Sequence, residues 1–194
     1  MESTPMTGLA MMKIATGLLM MAFFTLFWAA NAYNGLSNTS YKWLLSIFAV
    51  FGLIFFYSAF RLIRAARNLP RPPSPDCDEI RKGDTRMRII FVGEGIGIFI
   101  AILLVSYLNH PELIVPAMAL VVGLHFIPLG MLFKRKFDYY LAAGSILIAF
   151  LAIVFSLNNT LNPSEVLAFT GIGMAVSTTV YGSKMMLAAR EVLN

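Results

Sequence analysis

Six runs of roughly 20 apolar residues, parted by short charged stretches, take up almost all of this 194-residue chain, and each is as long as a helix needs to be to cross about 30 Å of hydrocarbon. They extend from Ile14 to Tyr33, Tyr41 to Phe60, Ile89 to Tyr107, Leu113 to Phe133, Tyr139 to Leu157 and Val166 to Ala188. Hydrocarbon offers backbone groups no hydrogen-bond partners, so each run must satisfy its own as a helix. The expected fold is therefore all-α: a polytopic membrane protein, a bundle of six transmembrane helices making one domain over residues 1–194. Only 13% of residues are charged, against about 25% in soluble domains, and no stretch is left over for a separate soluble unit. The opening "MESTPMTGLAMMK" carries an acid and leads into a run long enough to span, so the first run reads as a retained helix, not a cleaved signal.

Positive charge sets the threading, because lysine and arginine resist translocation. When the runs alternate in direction, every one of the 15 basic residues except Lys42 falls on the same side. Lys13 precedes the first run, Arg61 to Arg88 join the second to the third, Lys134 to Lys136 follow the fourth, and Lys184 and Arg190 close the sixth. That side is assigned to the cytoplasm, with both termini inside and the chain in the cell inner (plasma) membrane.

The connection from residue 61 to 88 is the most polar part of the chain. Arg61, Arg64 and Arg67 recur every three residues, which carries the second helix past the membrane with its cations beside anionic lipid headgroups. Arg71 lies among Pro70, Pro72, Pro73 and Pro75, which end the helix and impose an extended path. The stretch reads either as a docking site for lipid or a partner, or as a topological anchor and connector; a homo-oligomer or a membrane partner is left open. Cys77 is the lone cysteine, so no internal disulfide and no cysteine-rich metal site is expected. With no phosphate loop, zinc-protease motif or nucleophile constellation, no cofactor, metal, nucleic-acid partner or catalytic residue is expected either. Trp28, Trp43, Tyr107, Tyr139 and Tyr140 lie near run ends and read as interfacial anchors.

The outside connections "LNHPEL" and "LNPSEV" place Asn109 three residues before Glu112 and Asn162 three before Glu165. Each predicts an asparagine cap with the glutamate returning to the cap amide, and a proline in the first turn. The sequons at Asn38 and Asn158 fall on the same outer side.

An ionisable residue inside a span is costly and is a functional candidate whose partner must be sought. Glu94, in "GEGIGIF", lies about 9 Å from the cytoplasmic end of its run, and His125 in the fourth run about 13 Å from the same side, at 1.5 Å per residue. The short turn between these runs makes them antiparallel neighbours, so the two side chains are expected to meet. Gly93 and Gly97 form GxxxG beside the acid and suit close helix packing. Pro128 follows His125 by one turn, predicting a kink and a free Leu124 carbonyl. Ser177, Thr178 and Thr179 in the sixth run lie at a comparable depth and are expected to complete one intramembrane polar pocket.

The block "GLHFIPLGMLFKRKFDYYLAAG", Gly123 to Gly144, resembles a family of uncharacterised bacterial multi-pass membrane proteins with a GLHF-x-PL element, a basic loop and a YY pair; the likeness runs loosely from Gly93. It implies a bacterial inner-membrane location and no established activity, and it points to Glu94, His125 and Pro128.

An acid and an imidazole facing each other in low dielectric exchange a proton or hold a cation near neutral pH; alternatively the pair fastens two helices. The functional expectation is transport or sensing of a small solute or ion through this site. The alternative is a non-catalytic accessory or stress-related role through a partner at the basic connection.

Overall fold

The computed structural model describes residues 8–36, 40–68 and 77–193. Helices α1 (Gly8–Gly35), α2 (Ser46–Ala66), α3 (Cys77–Tyr107), α4 (Ile114–Phe133), α5 (Lys136–Leu157) and α6 (Pro163–Leu193) account for nearly all of them. Short 3₁₀ turns, Lys42–Leu45 and Pro111–Leu113, lead into α2 and α4. There is no strand among the described residues. All six helices are long and apolar enough to cross a membrane. Large apolar side chains face outward on each of them, Phe23, Leu53, Phe99, Met131, Leu147 and Val176 among others, a surface that water penalises and lipid accepts.

Helix α2 runs on to Ala66, as the three-residue arginine spacing predicts, whereas α3 starts at Cys77, well ahead of its apolar run, so this end of the 61–88 connection is helical where a loop was expected. Hydropathy marks where a helix leaves lipid, not where its hydrogen bonds end, and residues such as Glu79, Arg81, Lys82 and Met87 are good helix formers in water. Arg71 and its four neighbouring prolines lie outside the described residues, as does Asn38.

The bundle is built around α6, which packs on α1, α2, α4 and α5. Its contact with α1 is the most extensive in the molecule and is antiparallel. Ala168 meets Gly35, Gly171 meets Ala32, Thr178 meets Thr25 and Met185 meets Gly17. The α6 positions 171, 178 and 185 recur every seven residues, the spacing that keeps one seam of a helix on its partner. Small residues carry this seam because lipid tails are as apolar as leucine, leaving close van der Waals approach to hold helices together. A Cβ on Gly171 would stand 2.5 Å from the Ala32 backbone nitrogen, so only glycine allows the two backbones this near.

Trp28 belongs to the same seam. It is 1% exposed and therefore a core residue, not the interfacial anchor its position near a run end predicts. α1 extends past it to Gly35 and its indole turns into the bundle. Trp43, Tyr107 and Tyr140 are well exposed, whereas the Tyr139 ring covers Gly130.

Of the two predicted caps, one forms. The Asn162 carboxamide oxygen accepts from the Glu165 backbone N–H at 3.0 Å while the Glu165 carboxylate accepts from the Asn162 N–H at 2.9 Å. Asn109 instead takes a left-handed backbone, φ 56°, and Glu112 turns to the His110 ring at 2.8 Å. An imidazole two residues away competes for the carboxylate, and the helix starts through a 3₁₀ turn without the reciprocal bonds.

Candidate intramembrane polar site

Among the described residues, helix α3 packs on α4 and on the 3₁₀ turn before it, and on no other helix. Its inward stripe is consequently narrow. Of its residues with a described environment, Glu94 and Val105 alone are buried, so the one acid of the run occupies one of its two best-covered positions, at 6% exposure. Gly97, one turn further on, rests on Val121 of α4 with room for a Cβ only at 3.0 Å. Gly93 has open space around it, so the GxxxG pair does not act as a pair: Gly97 sets the approach of α3 to α4, and Gly93 faces outward.

His125 meets Glu94 across this contact, Nδ1 to Oε1 at 3.4 Å. The same Nδ1 lies 2.5 Å from the Val122 carbonyl oxygen one turn back on α4. A carbonyl only accepts, so the ring proton sits on Nδ1 and is donated to Val122. Glu94 Oε1 is thereby left buried with no hydrogen-bond partner although an imidazole faces it. The ring takes the Val122 carbonyl, not the Leu124 carbonyl expected to be freed by Pro128, which lies within a continuous α4. Phe91 and Phe126 flank the imidazole, with centroids 6.0 and 4.3 Å away, and close the pair in apolar surroundings.

The α6 hydroxyls do not join this pair, because α4 stands between α3 and α6. Thr178 takes a bond from Thr25 Oγ1 at 3.0 Å, across the α1–α6 seam. Ser177 donates to the Gly173 carbonyl of its own helix at 3.1 Å. The Thr179 hydroxyl is buried without a partner. The single pocket expected from matched depth is thus divided. Depth along a helix axis fixes one coordinate only, and the order of helices around the bundle fixes the other.

A second buried acid went unmarked in the sequence. Asp138, in the first turn of α5, is fully buried, and neither of its oxygens meets a hydrogen-bond donor. Arg135 and Lys184 supply the positive charge around it, and the Tyr181 hydroxyl faces it. Lys184 Nζ lies 3.7 Å above the Phe137 ring, which stacks on Tyr181 at 6.1 Å. Tyr181 in turn packs on Phe126, the ring beside His125. An acid directly after "KRKF" reads as a first-turn charge at the interface. The available signal was Tyr181 and Lys184 one turn apart on α6, at the matching end of the bundle. Among the remaining predicted residues, Arg61, Arg64 and Arg67 are exposed on the last turns of α2.

Residues 92–186 match a family model described as a family of unknown function (DUF7010). The matched stretch is just under half of the chain and takes in the second half of α3, all of α4 and α5, and α6 to Met186, with Glu94, His125 and Asp138 inside it. It leaves out α1 and α2. No curated protein and no solved structure matches the chain.

Proposed function

We propose that this is a small multi-pass membrane protein that moves or senses a small solute or ion, with Glu94 and His125 as its proton- or cation-handling pair. The observation that carries the reading is the unpartnered Glu94 Oε1 held 3.4 Å from a ring nitrogen whose proton is already given elsewhere. A fastener is expected to close its hydrogen bond, since an unmet buried acceptor costs about 1–3 kcal/mol. Here the unpaired Glu94 Oε1 is itself the group that takes up and releases a proton, beside an imidazole that can share the charge. On this reading the protein is not an enzyme, lies in a bacterial inner membrane with both termini cytoplasmic, and presents the pair toward the inner half of the bilayer.

The test is flux. Reconstituted in liposomes carrying an internal pH dye, the wild-type chain is expected to pass protons or a monovalent cation in a pH-dependent manner, and Glu94→Gln and His125→Gln each to abolish it. Wild-type flux that persists in both variants contradicts the assignment.

A second reading rests on the helical extensions beyond the membrane. Arg61, Arg64 and Arg67 are exposed at the end of α2 and would be the docking surface for a partner protein. On that reading, reversing the three arginine charges abolishes co-purification of a partner, and Glu94→Gln has no effect.

A further inference from the structure

Helices α2 and α6 run parallel and touch where Phe55 covers Gly182 and where Ser58 Oγ meets Met186 Sδ at 3.4 Å. Beside this line of contact they leave a groove of about 370 Å³ that opens outward. Its wall on α2 runs from Val50 through Leu53, Ile54 and Tyr57 to Arg61, eleven steps or about 16 Å along the helix. That is close to half of a hydrocarbon core about 30 Å thick, the depth of one leaflet. The groove is mostly apolar, with Tyr57 and Ser58 toward the end where α2 leaves its apolar run, and it carries its one cation, Arg61, at that end. Among the described residues Arg61 forms no ion pair.

Length and charge point to the occupant: an outward-opening groove about one leaflet deep, walled by Val50, Leu53 and Ile54 with a cation at its polar end, matches an acyl chain lying along α2 below an anionic headgroup. We propose that this groove holds one acyl chain of an anionic phospholipid whose phosphate is held by Arg61, with the Tyr57 hydroxyl beside it. The site is independent of the Glu94–His125 reading, since it lies on helices that do not contact α3.

The test uses the full chain in mild detergent and native mass spectrometry with equimolar dioleoylphosphatidylglycerol and dioleoylphosphatidylcholine, which differ in headgroup alone. Wild type is expected to retain the anionic lipid preferentially. Arg61→Gln is expected to lower that preference about fivefold, the worth of one cation against an anionic surface, and Arg67→Gln to lower it less. Leu53→Trp, at an outward-facing position in the groove, is expected to lose retained lipid of both kinds. Equal retention of the two lipids by wild type overturns the proposal, as does an equal effect of Arg61→Gln and Arg67→Gln or unchanged retention in Leu53→Trp.

Discussion

His125 Nδ1 stands 3.4 Å from Glu94 Oε1 and yet serves the Val122 carbonyl, so two ionisable groups share a buried contact between α3 and α4 without a hydrogen bond between them. An edge helix that touches one neighbour gains little from such an arrangement as packing alone. Its stability comes from what surrounds the pair, and this is open to measurement.

Gly97 and Gly93 are predicted to respond in opposite ways. Gly97→Leu drives a side chain into Val121 and is expected to cost about 1–3 kcal/mol. Gly93→Ala meets open space and is expected to be neutral or to stabilise by up to about 1 kcal/mol through lost backbone freedom. Denaturant unfolding in mixed micelles separates the two; equal losses would show that both glycines face α4.

The α1–α6 seam is predicted to be the least tolerant surface of the bundle. Gly171→Ala places a methyl against the Ala32 backbone, which cannot rotate away as a side chain can. A loss of about 3 kcal/mol or more is expected, read as a fall in thermal midpoint.

Thr25 and Thr178 bond across the same seam at 3.0 Å. A double-mutant cycle with Thr25→Val and Thr178→Val is expected to return a coupling of about 0.6 kcal/mol, the usual worth of an interhelical hydrogen bond in a membrane. Additive losses would mean that the hydroxyls serve only their own helix carbonyls.

The two look-alike outer turns are predicted to part company. Asn162→Ala is expected to cost about 1 kcal/mol through the lost α6 cap, and Glu112→Ala to stay within about 0.5 kcal/mol because its carboxylate serves its own backbone N–H and an exposed histidine.

Much of this organisation could be read along the chain, and what could not has a common cause. Six apolar runs located the six helices, since bilayer thickness dictates their length. Equal depth and a short turn brought Glu94 to His125, because sequential antiparallel helices are neighbours. What lay beyond one dimension was missed. Thr178 was grouped with Glu94 by depth but faces Thr25, and Trp28 was assigned to the interface by its place near a run end but turns into the core. Asp138 was passed over because first-turn acids are ordinary, and its burial depends on Tyr181 arriving from a helix more than 40 residues away. The capping box at Asn162 followed from local spacing alone, and the one at Asn109 failed to an equally local competitor, His110.

The central claim is that Glu94 is kept as an ionisable group and not as a bolt between α3 and α4. The most direct measurement is thermal stability against pH for wild type and Glu94→Gln in identical lipid nanodiscs. The account predicts a variant at least as stable as wild type, and a titration in the wild-type curve that the variant lacks. A variant less stable at every pH, with no titration lost, would contradict it and make the pair a structural clasp.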